Sequence, residues 1–220
     1  MSSSVSDWVP GERLVGAVVE DDIDPAAPTV GVLALQGDVL EHLRALRRCG
    51  AHAVRVRSVD DLDGLDGLVI PGGESTTIGK LLQRFDLLDP IRALVDDGVP
   101  VFGTCAGMIL LSDALAQERP QPLIGGLRAT TRRNAFGRQV DSFDTVVEVA
   151  GIDGGPLEVA FIRAPWVEEV GEGVEVLASL AGHPVIVQQD NILASAFHSE
   201  LTGDDRLHQH FLGMVESHRG

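Results

Sequence analysis

The chain has 220 residues, of which 44% are hydrophobic, and it carries a formal net charge of −16 at neutral pH. This length and composition predict a globular protein with a substantial core. The strong negative charge argues against nucleic acids and anionic membranes as partners.

The two cysteines give no disulfide framework, which indicates a reducing compartment. The apolar runs are shorter than the ~20 residues of a membrane span. The N-terminus also lacks the pattern of a signal peptide, because its short apolar run at 15–19 is followed by acidic residues. We therefore expect a cytoplasmic protein.

The first 28 residues differ in composition from the rest of the chain. They are rich in serine, then acidic, and they end in Asp24-Pro25-Ala26-Ala27-Pro28. Such a stretch predicts a flexible N-terminal leader over residues 1–28. Residues 29–220 are expected to form a single domain.

Strands and helices alternate from Val30 onward. Val30–Leu35 is a continuous apolar run, as in a parallel strand buried on both faces. Asp38 followed by Glu41 predicts a capped helix start. The same criteria predict strands at 53–59, 67–70 and 99–102, and helices that begin near Ser75 and, with Asp89 as the N-cap, at Pro90.

The second half of the chain favours strands separated by turns, with a hairpin at Asp190-Asn191 and a final helix carrying Leu207 and Phe211 on one face. The predicted strands are 146–149, 159–162, 174–177, 184–188 and 192–197. The whole pattern predicts an α/β fold: a doubly wound, mostly parallel sheet flanked by helices, with added antiparallel strands. Functional sites in such sheets lie at the carboxyl ends of the strands.

The most informative segment is Gly103-Thr104-Cys105-Ala106-Gly107, which directly follows the apolar run 99–102. A strand that breaks into a turn with small flanking residues is typical of a nucleophile elbow. The predicted nucleophile is Cys105, and the N–H of Ala106 is placed to stabilise an oxyanion.

A reactive cysteine needs a base, because the thiolate is the nucleophile. His198 directly follows the apolar strand 192–197, and Glu200 stands two residues later. In extended structure these two side chains share a face, so Glu200 is placed to orient His198. Cys105, His198 and Glu200 are thus a candidate nucleophile, base and orienting group.

The other histidines lie in predicted helices or near turns, and His208 and His210, two apart on the last helix, favour surface or interface positions; the spacing of histidine and cysteine does not resemble a zinc site. The other histidines are His42, His52, His183, His208, His210 and His218. We expect no bound metal.

Two further segments have more than one interpretation. In Pro71-Gly72-Gly73-Glu74-Ser75, Gly73 either completes an oxyanion hole with Ala106 or belongs to an ordinary turn. The basic segment 132–139 and the segment 161–165 are either solvated loops or carry arginines that bind a substrate carboxylate.

Taken together, six segments resemble the glutaminase-subunit family of pyridoxal 5′-phosphate synthases, within the class I (triad-type) glutamine amidotransferases. The resemblance extends from about Thr29 to near the C-terminus and implies a flavodoxin-like fold. The segments are 32–37, 71–77, 103–107, 133–139, 161–165 and 197–202.

The resemblance implies that Cys105 attacks the side-chain amide of L-glutamine while His198 transfers protons and Glu200 orients it. Gly73 and Ala106 would form the oxyanion hole. The glutamine-binding residues would be Gly73, Glu74, Ser75, Arg133, Ile162 and Arg163. The family uses no cofactor for this step and passes the ammonia to a synthase subunit, in a hetero-oligomeric complex that activates the glutaminase.

Ser199 departs from the family pattern, which has proline between the catalytic histidine and glutamate. Three other functions fit parts of the sequence. They are a glutaminase for another synthase, a cysteine hydrolase or chaperone-like protein of similar fold, and a regulatory subunit without catalysis.

Overall fold

The computed structural model describes residues 23–117, 120–135 and 142–220, and these contain a seven-stranded sheet in the order β10-β11-β12-β4-β3-β1-β2. Its five strands from β12 to β2 are parallel, whereas β10 and β11 are antiparallel additions. The strands are β1 (Thr29–Leu33), β2 (His52–Val56), β3 (Gly67–Ile70), β4 (Val101–Thr104), β10 (Glu175–Leu180), β11 (His183–Gln189) and β12 (Ile192–Ser195). The predicted sheet is confirmed.

The centre of this sheet is covered on both faces. Every residue of β3, β4 and β12 is buried, as expected for parallel strands packed between helices. The helices are α1 (Val39–Arg48), α2 (Ser75–Arg84), α3 (Leu88–Asp96), α4 (Ala106–Leu111) and α5 (Arg206–Arg219). In the described part of the chain, none of the helices has the length and apolar character needed to cross a bilayer.

Five further strands form two smaller sheets among the described residues. They are β5 (Ser112–Leu115), β6 (Leu127–Arg132), β7 (Ser142–Val147), β8 (Leu157–Ile162) and β9 (Trp166–Val170), paired as β5-β6-β9 and β7-β8. Strands β5, β6 and β9 were not predicted from the sequence. Strand β6 buries Leu127, Ala129 and Thr131 on one side, but threonine and arginine weaken the apolar alternation that identifies a strand.

Two helix starts differ from the predictions. Asp38 precedes α1 but makes no side-chain cap, because its carboxylate lies beside His198 instead, with Oδ2 3.2 Å from Nδ1. Helix α3 begins at Leu88, so Asp89 lies within its first turn and is not the N-cap. There Asp89 pairs with Arg92 at 2.9 Å.

Residues 1–22 of the expected leader lie outside the described residues. At its described end, Ile23 is buried and the Asp24 carbonyl lies 3.0 Å from His52 Nε2. One hydrophobic cluster includes both Val30 in β1 and Val215 in α5. The division into a leader and one domain stays a prediction, as does the cytoplasmic location.

The turn between β4 and α4 requires glycine at two positions. A Cβ atom at Gly107 would lie 2.1 Å from the carbonyl oxygen of Ile70, and one at Gly103 would lie 2.6 Å from the Gly107 carbonyl carbon. The backbone of α4 therefore packs directly against β3 and β4. This contact fixes where Cys105 stands relative to the sheet.

Gly107→Ala should lower the free energy of unfolding by about 2 kcal/mol or more, because the new methyl group meets rigid backbone. Gly213→Ala on α5 is the matched control, since its methyl group would meet nothing within 4 Å. It should stabilise the protein by roughly 0.5–1 kcal/mol through helix propensity. Urea denaturation measures both changes, and equal stability of the two variants would contradict this account of the turn.

Candidate active site

Cys105 stands in a strained turn between β4 and α4. Its φ is +47° and its ψ is −98°, a conformation that few non-glycine residues adopt. Its N–H donates to the carbonyl of Ser195 at 2.8 Å, which ties the turn to the end of β12. The thiol is free and 6% exposed. The tight strand-turn-helix geometry predicted around Cys105 is therefore present, and its role as a nucleophile stays a prediction.

His198 and Glu200 lie beside this turn and contact each other as predicted. Parallel pairing of β12 with β4 places Ser195 opposite Thr104, so the chain segments after both strands emerge at the same edge. His198 Nδ1 lies 2.7 Å from Glu200 Oε1. The reason differs from the prediction, because Glu200 lies in a short 3-10 turn, Ser199–Leu201, and not in extended chain.

The His198 ring packs directly on the backbone of Gly72. A Cβ atom at Gly72 would lie 2.2 Å from His198 Cε1, so this position accepts only glycine without displacing the ring. The N–H of His198 donates to the carbonyl of Ala160 at 3.1 Å. His198 is therefore held by two chain segments besides its own.

The pKa of His198 reflects opposing effects. Burial lowers that pKa, but hydrogen bonds to Asp38, Cys105 and Glu200 outweigh it and raise the pKa well above the ordinary value for histidine. The two carboxylates face Nδ1, which leaves Nε2 for the thiol of Cys105. The site thus favours an imidazolium beside the sulfur, the arrangement that supports a thiolate.

Asp38 is a group that the sequence analysis missed. It stands 160 positions before His198 and has the local pattern of a helix cap, so sequence spacing gave no indication of the contact. Burial raises the pKa of Glu200, an effect opposed by its hydrogen bond to His198. Asp38, being half-exposed, adds a second negative charge on the same side of the imidazole.

The predicted glycine-rich segment follows β3 at the same edge of the sheet. The carbonyl of Gly72 accepts a hydrogen bond from Asp38 N–H at 3.3 Å. Gly73 has a φ of +151°, and a Cβ atom there would lie 2.6 Å from Gln36 Oε1, which itself accepts from Glu74 N–H at 2.8 Å. Gln36, another residue that the sequence analysis missed, therefore fixes the position of this segment.

The N–H of Ala106, the second predicted oxyanion donor, belongs to the first residue of α4. The first N–H groups of a helix have no acceptor within the helix. The N–H of Ala106 therefore has no acceptor within the helix, and it directly follows the candidate nucleophile Cys105.

Glu74 and Ser75 lie at the start of α2 and contact the predicted arginine. The Glu74 carboxylate accepts from the N–H groups of Thr76 and Thr77 at 3.1 and 2.7 Å. Burial acts to raise the pKa of Glu74, but hydrogen bonds from Thr77 and Thr76 outweigh it and lower that pKa to about 2. Arg133 Nη2 lies 3.1 Å from Glu74 Oε1.

Arg133 is held by two glutamines that the sequence analysis missed. Its Nη1 donates to Gln121 Oε1 at 3.0 Å, and the same oxygen accepts from Ser75 Oγ at 3.1 Å. Gln117 contacts the Arg133 backbone on both sides, accepting from N–H and donating to the carbonyl. Glu74, Ser75 and Arg133 are therefore brought together in one network.

Ile162 and Arg163 follow the end of β8. The segments of Arg133 and Arg163 meet through the backbone, where Ala135 N–H donates to the Ala164 carbonyl at 2.9 Å. Ile162 is 41% exposed and Arg163 has a φ of +45°. The substrate contacts of these two side chains stay predictions. Residues 136–139 of the basic segment lie outside the described residues.

Two histidines outside the candidate triad, His42 on α1 and His208 on α5, are fully buried with 0% exposure. The surface or interface position expected for His208 was wrong, because His208 lies on the inward face of its helix beside Leu207. His42 lies on the inward face of α1 beside Leu43. His42 Nε2 is 3.5 Å from Glu200 Oε1, so the two buried histidines lie next to the candidate catalytic residues.

Comparisons with known proteins show which sequences and folds this chain is similar to. The family model of the SNO glutamine amidotransferase family matches residues 32–217. A pyridoxal 5′-phosphate synthase subunit PdxT from Parafrankia sp. (strain EAN1pec) is 61% identical and covers 89% of this chain and 97% of its own length. A subunit with the same name from Frankia casuarinae is 59% identical over 87% of this chain and 97% of its own.

Among solved structures, one described as a glutamine amidotransferase superposes with a TM-score of 0.81. It is 51% identical in sequence and covers 85% of this chain and 98% of its own.

Ser199→Pro should raise the free energy of unfolding by about 0.5–1 kcal/mol. Ser199 is the first residue of a 3-10 turn, a conformation whose usual φ range includes the φ of proline, and its buried hydroxyl has no partner among the described residues. Ser199→Ala is the control, because it removes only the hydroxyl. Thermal denaturation compares the two, and a proline variant less stable than the alanine variant would contradict the expectation.

Proposed function

The chain belongs to the SNO glutamine amidotransferase family, and on that basis we propose that it is the glutaminase subunit of a pyridoxal 5′-phosphate synthase. It hydrolyses L-glutamine to L-glutamate and ammonia. The observation that carries the proposal is the triad geometry, with His198 Nδ1 2.7 Å from Glu200 Oε1 and the ring hydrogen-bonded to Cys105. The PdxT relatives at 61% and 59% identity support the pathway.

The first half of the reaction releases ammonia. The thiolate of Cys105 attacks the side-chain amide carbon of glutamine, and the amide oxygen becomes an oxyanion that accepts from the N–H groups of Gly73 and Ala106. The imidazolium of His198 then donates its Nε2 proton to the leaving nitrogen. The carbon–nitrogen bond breaks, and ammonia and a glutamyl thioester result.

The second half regenerates the thiolate. Neutral His198 now accepts a proton from water, whose oxygen attacks the thioester carbon. The carbon–sulfur bond breaks, glutamate forms and Cys105 returns to the thiolate. Glu200 stays ionised throughout and holds His198 in the tautomer that keeps Nε2 toward the sulfur.

Substrate recognition rests on two opposite charges in one network. Glutamine carries an α-carboxylate and an α-ammonium group, and we assign Arg133 to the first and Glu74 to the second. The two side chains already lie 3.1 Å apart, so the zwitterion replaces their mutual contact with two matched ones. Ser75, Ile162 and Arg163 complete the proposed binding residues.

The ammonia goes to a synthase subunit, with which the protein forms a hetero-oligomer. The relatives are named as subunits of a synthase, which supports this partner. Residues 29–220 act as one glutaminase domain, which the continuous hydrophobic cluster supports. Catalysis needs no cofactor, because the side chains and N–H groups supply the nucleophile, the proton transfers and the charge stabilisation.

Cys105→Ala should abolish glutamate formation from glutamine in the presence of the synthase subunit, because the nucleophile is lost. The matched control is Cys49→Ala, which should keep full turnover. Burial raises the pKa of the Cys49 thiol to about 12, so it holds no thiolate at neutral pH. A coupled glutamate assay measures turnover, and calorimetry should show that both variants still bind the synthase. Turnover by Cys105→Ala equal to that of the wild type would refute the proposed function.

Arg133→Gln should raise the KM for glutamine by about tenfold or more, since a charge-assisted hydrogen bond is lost. The kcat should change less, because Arg133 is assigned to binding. Arg132→Gln is the neighbouring control, as Arg132 pairs with Glu168 at 2.8 Å on the surface. Steady-state kinetics of the complex separate the two variants. An unchanged KM in Arg133→Gln would remove this residue from the substrate site.

A further inference from the structure

Two buried histidines, His42 and His208, form a line that ends at the carboxylate of Glu200. His42 Nδ1 lies 2.9 Å from His208 Nε2. On its other side, His42 Nε2 lies 3.1 Å from Thr104 Oγ1 and 3.5 Å from Glu200 Oε1. All four residues are buried, and the mechanism described above uses only Glu200.

Apolar packing keeps the two histidines in place. The ring of Phe102 contacts both in edge-on geometry, with centroids 6.3 Å from His42 and 5.6 Å from His208. Burial lowers the pKa of each histidine, that of His208 to about 4. Both rings are therefore neutral at neutral pH, and each carries one N–H and one acceptor nitrogen.

The contacts decide which nitrogen carries the proton. If His208 Nε2 donates to His42 Nδ1, the single N–H of His42 faces Thr104 and Glu200. In the reverse arrangement a lone pair of His42 faces the carboxylate. The reverse arrangement also places a proton on His208 Nδ1, a buried atom without a hydrogen-bond partner among the described residues. A buried unpaired donor and a lone pair against a carboxylate both cost free energy, so the first arrangement is favoured.

The buried negative charge of Glu200 is costly in free energy unless a hydrogen-bond donor faces it. Its Oε2 is buried and unpartnered among the described residues, and Oε1 is shared between His198 and the approach of His42. Other titratable or charged groups also surround this line. Asp38 lies near Glu200, and Asp205 and Arg48 lie near His208. Arg48 and Asp205 pair with each other at 2.6 Å.

We infer that His42 and His208 are positioning residues of the triad: His208 fixes the tautomer of His42, and the Nε2–H of His42, which contacts Thr104 Oγ1 at 3.1 Å, directs its positive end toward Glu200 Oε1 at 3.5 Å and so favours an ionised Glu200 oriented toward His198. The line runs His208, His42, Glu200, His198, Cys105. His42 also contacts Thr104, the residue before the nucleophile. It therefore joins the strand that carries Cys105 to the turn that carries Glu200. The inference rests on the proposed function.

The kinetic test compares His42→Leu with His42→Gln in the complex with the synthase subunit. Glutamine places an amide N–H2 near the position of Nε2, whereas leucine fills the space without a donor. His42→Leu should lower kcat about tenfold while changing KM less than about twofold. It should also move the acid limb of the kcat profile to higher pH, because Glu200 protonates more easily without the donor. His42→Gln should recover most of both effects.

Parallel variants test the far end of the line. His208→Leu should reproduce the pH shift of His42→Leu more weakly, since His42 is then free to change tautomer. His210→Gln on the same helix is the control, because His210 contacts Gln188 at 2.7 Å and lies outside the line. It should leave kcat and the pH profile unchanged. Thermal denaturation checks that all variants are folded.

A second measurement is independent of turnover. Long-range ¹H–¹⁵N spectra distinguish the two tautomers of a neutral imidazole, and the inference requires a proton on Nε2 of both His42 and His208.

The outcomes are distinguishable. If the wild-type complex does not hydrolyse glutamine, the proposed function fails, and the tautomers still decide the hydrogen-bond line. If the wild type is active but His42→Leu keeps the wild-type acid limb, or His42 carries its proton on Nδ1, the inference is wrong. It is also wrong if His42→Gln, although folded, is as impaired as His42→Leu.

Discussion

The backbone hydrogen bond from Cys105 N–H to the Ser195 carbonyl, at 2.8 Å, joins the two chain segments on which the candidate site depends. It continues the parallel pairing of β12 with β4, in which Ser195 lies opposite Thr104. Because both strands run in the same direction, the residues that follow them emerge side by side. Cys105 and His198 are therefore neighbours although 93 positions separate them in the sequence.

Close packing against glycine backbone is the second constraint on this edge of the sheet. The ring of His198 rests on Gly72, α4 rests on Ile70 through Gly107, and the turn at Gly37 meets the Gly72 carbonyl. A side chain at any of these glycines would occupy space already filled by neighbouring atoms. Glycines at these positions therefore let neighbouring segments pack closely around the candidate catalytic side chains.

The charged groups of the candidate site are balanced by their neighbours. His198 gains two carboxylate neighbours, while Glu200 is buried and depends on N–H donors for its charge. The neutral pair His42 and His208 lies behind it in an apolar surround. Glu74 and Arg133 carry opposite charges and pair with each other at 3.1 Å. The candidate site therefore has an apolar surround at the two buried histidines and charged side chains at Glu74 and Arg133.

Features that depend on residues close in the chain were predictable from the amino-acid pattern. Apolar runs and glycines predicted the central strands, the elbow at Cys105 and the short-range pair of His198 and Glu200. The tertiary structure alone decided which distant groups meet these residues. Asp38, assigned to a helix cap, contacts His198, and His208, assigned to a surface or interface position, is buried together with His42 near Glu200. Local pattern reports the period and polarity of a segment, whereas these contacts arise from strand order and helix packing, which bring together side chains separated by up to 166 positions.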